Sequence, residues 1–176
     1  VLSLSLKGSS FLPMSQQFKR YSQLLSLNLD TFGQSDQICA THHKDIFAGL
    51  KALLFLSLKE NHMPFISQYC FKDLSSLQNL ALKGSKIEII DSFAFTGLSS
   101  LKKLLLDNKE IRLVKPCAFH GMESVELLNL SNNDIIYIAT DTFSLMTALK
   151  ILDLRKNKKL LSINHYIFYE LRSMLL

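Results

Sequence analysis

Apolar residues recur along this chain at two spacings at once. In FAFTGLSSLKKLLL, residues 93 to 106, Leu98, Leu101 and Leu104 stand three apart, as on one side of a helix, whereas Leu104 and Leu106 stand two apart, as on one face of a strand. So short a segment fits both templates. The conflict disappears when the segment is slid along the sequence. FKDLSSLQNLAL (71–82), FTGLSSLKKLLL (95–106), FHGMESVELLNL (119–130) and FSLMTALKILDL (143–154) superimpose without gaps, each displaced from the one before by the same twenty-four places. A fixed period of this size marks a repeat architecture, in which each unit buries its apolar residues only by stacking on its neighbours.

Counted from the first apolar strand residue, the units begin at Val1, Leu24, Leu53, Leu77, Leu101, Val125 and Leu149. The step from Leu24 to Leu53 is longer by five than the four steps that follow, which places an insertion in the second unit, about residues 30–47. The last unit runs one residue long, because Leu160 follows Asn157 by three where Ile135 follows Asn133 by two. Each unit reads L-x-x-L-x-L-x-x-N-x-L. In this pattern the chain resembles the leucine-rich repeat family over nearly its whole length. The resemblance implies an α/β solenoid: a horseshoe with a parallel sheet on the concave side and irregular turns or short helices on the convex side.

Two further columns run through the units. Phe18, Phe47, Phe71, Phe95, Phe119 and Phe143 each precede a strand start by six residues, Phe168 continues the series, and together they take seven of the 12 phenylalanines. Three residues after each come Tyr21, Leu50, Leu74, Leu98, Met122, Met146 and Leu171. The phase is that of a stacked core spine rather than of an aromatic binding stripe. The ninth position, usually Asn in the family, reads Ser9, Phe32, Asn61, Ser85, Lys109, Asn133 and Asn157. An amide there can satisfy backbone groups of neighbouring turns. Where it is missing, the loop is expected to leave the ideal path, and such loops often carry function.

Composition changes this picture little. The 176 residues are 48% hydrophobic, with 3 prolines and 6 glycines, enough for one folded domain spanning 1–176. No run of 18 apolar residues is present, and the opening VLSLSLKGSS lacks the basic leader of a signal peptide. The chain begins without Met, on a strand, and stops just inside a new unit, as an uncapped interior fragment of something longer would.

The chemistry of catalysis is absent. There is no G-x-S-x-G, no phosphate-binding glycine loop and no H-E-x-x-H, so an enzyme is not expected, nor any cofactor. His42 and His43 in THHKD lack a cysteine pair at zinc spacing and read as a polar loop. Of the three cysteines, Cys39 and Cys70 fall in adjacent units, close enough for a disulfide, while Cys117 lies two units beyond Cys70. The alternative is three buried thiols. Asn129 opens the triplet NLS, an acceptor pattern for a glycan in a secreted protein, although the repeat itself supplies much of that triplet.

What remains is surface. Unit positions 3, 5, 7 and 8 point outward from the strands. They offer apolar anchors at Phe55, Leu105, Leu127 and Ile151 among polar groups that include Lys59, Lys83 and Lys103, a mixture suited to protein recognition. Beyond the strands runs a mostly basic edge: Lys59, Glu60, His62, Lys83, Lys86, Lys109, Arg112, Arg155, Lys156, Lys158 and Lys159. The formal net charge is +5, and the cluster at LRKNKKL can neutralise phosphates, with single-stranded RNA the first ligand to consider. The irregular repeats with AFxGLxxLxxLxL character are similar to those of Toll-like receptor ectodomains. That resemblance implies recognition of microbial or protein ligands on the concave or lateral face, receptor dimerisation, and a place on the extracellular or luminal side of a membrane that this segment does not touch. An adhesion or matrix protein, or a hormone-receptor ectodomain, has the same repeats.

Overall fold

The computed structural model describes residues 2–10, 18–33, 38–40, 45–169 and 171. Each unit forms one coil. Seven coils each give one short strand to the same side: β1 (Ser3–Ser5), β2 (Ser26–Asn28), β3 (Phe55–Ser57), β5 (Asn79–Ala81), β7 (Lys103–Leu105), β9 (Leu127–Asn129) and β10 (Ile151–Asp153). All occupy the third to fifth places of their units. The pairing is parallel and keeps equal places opposite each other, as with Leu27, Leu56 and Leu80. Side chains at the fourth place therefore enter the core, and those at the third and fifth face out, because strand side chains alternate.

A second, narrower sheet lies on the way back from the strands: β4 (Phe65–Ile66), β6 (Ile89–Ile90) and β8 (Leu113–Val114), also parallel and in register. The sequence pattern did not separate this sheet from a loop, since two residues are too few to show an alternation. Elsewhere the connecting side is built of turns. Among the described residues its helical content is a single 3₁₀ turn, His165–Phe168, capped by the Asn164 side chain, which accepts from Tyr166 N–H.

Each coil turns sharply just after its strand. The eighth residue is left-handed in all seven: Gly8, Thr31, Glu60, Gly84, Asn108, Asn132 and Lys156, with φ between 51° and 75°. Only glycine and, less well, asparagine adopt this region cheaply, so Thr31, Glu60 and Lys156 hold it at a cost. For Thr31 and Glu60 the return is a bond to the next coil: Thr31 N–H donates to Lys59 C=O and Glu60 N–H to Lys83 C=O, both at 2.9 Å.

The phenylalanine column is the core spine. Phe47, Phe71, Phe95, Phe119 and Phe143 are fully buried and stack in sequence, with ring centroids 5.6–5.8 Å apart and interplanar angles of 8–17°. Strands in a sheet lie about 4.8 Å apart. Each coil is therefore roughly 1 Å thicker at the rings than at the strands, and the stack bends with its strands on the inside.

Two expected members of the spine fall outside it. Phe168 is 40% exposed, and Ile167 is buried in its place. Position 167 follows Phe143 by one regular period, so the added residue near Leu160 is absorbed before the spine is reached. Tyr21, expected three places after Phe18, is 51% exposed, while Phe18 itself is buried.

Truncating a fully buried ring in the middle of this stack should cost about 3–5 kcal/mol. Phe95→Ala is expected to lose that much in denaturant unfolding. Phe93→Ala should lose much less, because Phe93 is only half-buried, resting on Tyr69 and meeting the His120 ring edge-on. Equal losses would contradict the register.

Candidate ligand-recognition face

The strand face is assembled by backbone bonds between coils, reinforced by side chains at the ninth place. Asn133 is the fullest case. Its Oδ1 accepts from Lys109 N–H and Ile111 N–H, both at 3.0 Å, and its Nδ2 donates to Leu106 C=O at 2.8 Å and Leu130 C=O at 2.9 Å. Asn61 ties its coil to the preceding one through Phe32 N–H at 2.7 Å and Leu29 C=O at 2.9 Å. Asn157 does so through Ile135 N–H and Leu130 C=O. Ser85 makes half of this link, donating from Oγ to Leu58 C=O at 2.6 Å. In the longer second unit Asp30 adds another, its buried carboxylate accepting from Ser57 Oγ at 2.5 Å and Lys59 N–H at 2.8 Å.

On this frame stand the apolar anchors. Phe55 is 37% exposed, Leu105 51% and Ile151 55%; Leu127 is half-buried between Lys103 on β7 and Ile151 on β10. Lys59, Lys83 and Lys103 are exposed on or beside the same face. Asn129 ends β9, half-buried, and its Oδ1 accepts from Ser131 N–H at 2.9 Å in a tight turn.

The edge beyond the strands is less free than its composition suggests. Arg155 is bound to Asp153, Nη2 to Oδ2 at 2.8 Å, and this guanidinium holds the Asp153 carboxyl below the usual carboxylate range. Lys159 pairs with Asp134 at 3.0 Å, and Arg112 with Glu88. Lys156 and Lys158 are exposed and make no ion pair among the described residues. Behind the strands, Glu126 lies between Lys150 at 2.9 Å and Lys102 at 3.9 Å, and the bond from Lys150 lowers the Glu126 pKa.

One member of the expected edge is misplaced. Lys109 is not exposed but buried, at 4% accessibility, in the position Asn holds in other coils. Burial pushes its pKa down, against the opposing pull of Asp107 and Glu60. The ninth-place column had flagged this residue as a departure, but a lysine in a polar stretch reads as surface until its coil is seen from inside.

Cys39 and Cys70 are both buried and joined as a disulfide, with Cα atoms 5.1 Å apart. Cys117 is free and half-buried, its thiol directed at Asp141 Oδ2, 3.5 Å away. His42 and His43 lie outside the described residues. Among the described residues no group of three or more His, Cys, Asp or Glu could hold a metal ion, and no helix is long and apolar enough to cross a membrane.

Parallel coils of this period, stitched by asparagines and filled by leucines, define a leucine-rich repeat scaffold. A family model described as BspA type leucine rich repeat region matches residues 43–175 in six copies, and the chain belongs to that family. A search of curated proteins finds no match. Among solved structures, the crystal structure of a TLR13–ssRNA13 complex is similar over 98% of this chain, at a TM-score of 0.66 and 22% sequence identity. The chain spans 28% of the length of that structure's chain. At this identity the likeness concerns the fold.

Two outcomes check the site's construction. Asn133→Ala should destabilise the chain by about 2 kcal/mol or more, since buried donors and acceptors left unpaired cost about 1–3 kcal/mol each. Asn132→Gly, one place outward and able to keep the left-handed backbone of that position, should change stability by less than about 0.5 kcal/mol, the usual range for a surface change. Cys117 should alkylate more slowly at pH 8 than an unhindered thiol. Its pKa is raised, first by burial and then by Asp141, so less thiolate is present.

Proposed function

We propose that this chain is the ligand-recognition segment of a leucine-rich repeat receptor ectodomain of the innate-immune, pattern-recognition kind. It acts as a binding scaffold rather than an enzyme. The observation that carries the reading is the strand face itself. Phe55, Leu105 and Ile151 remain exposed there, outside the buried core. Folding gains nothing from large apolar groups at these places, whereas a recognition surface needs desolvating anchors surrounded by polar groups.

The resemblance to a receptor structure solved with single-stranded RNA supports an anionic ligand as the first candidate. On this reading Lys59, Lys83, Lys156 and Lys158 make the principal phosphate contacts, and Arg155 and Lys159 contribute only after leaving Asp153 and Asp134. The paired state of those two residues favours, as the second reading, a protein partner seated on Phe55, Leu127 and Ile151, in a receptor or in an adhesion or matrix protein. The Cys39–Cys70 bridge and a glycan on Asn129 both belong to a secreted or luminal chain. Such a glycan would cover the face around β7, β9 and β10 and direct ligands to the edge.

Binding of single-stranded RNA at two salt concentrations tests the reading. Each phosphate contact should add about 0.7 to the slope of log affinity against log salt. Changing Arg155, Lys156, Lys158 and Lys159 to Ser should lower both affinity and slope. An unchanged affinity and slope would leave the protein partner as the better account.

A further inference from the structure

The strand face is not one sheet. β1, β2, β3 and β5 form a four-stranded ladder, β7, β9 and β10 a three-stranded one, and no ladder joins β5 to β7. The break is confined to this side. Behind it the same two coils remain joined through β6 and β8, and their rings Phe95 and Phe119 stay stacked. At every other junction between described coils the sixth residue donates to the next coil, as Leu58 N–H does to Ala81 C=O and Leu106 N–H to Asn129 C=O, both at 2.8 Å. Leu82 N–H makes no such bond to Leu105, and Gly84 N–H makes none to Asp107.

In the opening lies a cleft of about 630 Å³, lined by Phe55, Leu80, Leu82 and Leu105 together with Asp107 and Lys109. Leu80 is only partly covered, whereas its counterparts Leu56 and Leu104 are fully buried. The cause is local. Phe32 occupies the same ninth place in the second coil, yet β1 and β2 stay paired, because a phenyl ring can be sealed between coils. An ammonium cannot be sealed there without a partner. Among the described residues the Lys109 ammonium makes no hydrogen bond or ion pair, and it lines the cleft instead.

We propose that this cleft binds a small amphipathic anion, an acyl-chain carboxylate, with its chain against Phe55, Leu80 and Leu105 and its carboxylate on Lys109. The dimensions suit it. Ligand pockets are commonly about 300–1,000 Å³, mostly apolar, with a few fixed polar groups. A peptide strand does not fit, although both facing strand edges are unpaired. β5 and β7 still approach within 8 Å, Cα to Cα, and an inserted strand needs about twice the 4.8 Å strand spacing. Asp107 lines the same cleft, and Asp107 and Glu60 both attract the Lys109 ammonium. They disfavour a highly charged ligand such as inorganic phosphate more than a single carboxylate. The site shares Phe55, Leu105 and Lys83 with the recognition face but does not rest on the RNA reading.

The test is calorimetric titration of the folded chain with dodecanoate below its micelle concentration, with dodecanol and inorganic phosphate as comparison ligands. Dodecanoate should bind saturably at one site, at least tenfold tighter than dodecanol, and phosphate should not bind. Lys109→Met should abolish that preference. Lys109→Asn restores the amide link, should close the seam, raise the melting temperature and remove dodecanoate binding. Leu105→Asp is a surface change that leaves the fold intact, and it should weaken dodecanoate at least tenfold. The Ser variant at Arg155, Lys156, Lys158 and Lys159 should bind dodecanoate normally, so failure of the RNA reading would be told apart. Equal affinity for dodecanoate and dodecanol, or dodecanoate affinity unaltered by Leu105→Asp and Lys109→Asn, would overturn the proposal, as would absence of binding.

Discussion

The structure depends on the backbone hydrogen bonds that pass from each coil to the next. A single coil has no internal ladder: its outer strand is very short, and the bonding groups of that strand point along the stack. Buried amides and carbonyls left unpaired would cost more than such a small domain can lose. Every coil therefore has the shape its neighbour requires. The left-handed eighth residue follows from the same demand. Thr31 and Glu60 accept an unfavourable φ because it aims an N–H at the next coil.

The two faces of the stack obey different spacings. Hydrogen bonds set the strand side at about 4.8 Å per coil, and ring packing sets the phenylalanine side at 5.6–5.8 Å. The curvature is the difference between a hydrogen bond and an aromatic contact. It presents the third and fifth residues of each strand on an inner surface, where Phe55, Leu105 and Ile151 stand exposed. On the proposed reading, recognition follows from a geometry that the core imposes, and specificity from side chains that the core leaves free.

Much of this was legible in the residues. The period placed all seven outer strands, because a leucine at every fourth and sixth place has no other use than the core. The phenylalanine column placed the spine from Phe47 to Phe143. It failed at Phe168, where the added residue was carried one place too far and Ile167 took the buried position. The second sheet at β4, β6 and β8 left no sign, since two residues make no period. The ninth-place column marked Lys109 as irregular without showing that its coil opens. Burial of a lysine depends on what its neighbours can seal, and that is a property of three coils rather than of one residue.

Coil-to-coil backbone bonds hold the fold, and one seam among them, between β5 and β7, is left open. Amide hydrogen exchange resolved to single residues tests this most directly. Leu58, Leu106 and Leu130 hold equivalent places and donate to the next coil, so their amides should exchange slowly. Leu82, in the same place and likewise buried in its side chain, should exchange faster by orders of magnitude. Protection at Leu82 equal to that at Leu58 and Leu106 would show the seam to be closed and would contradict the account.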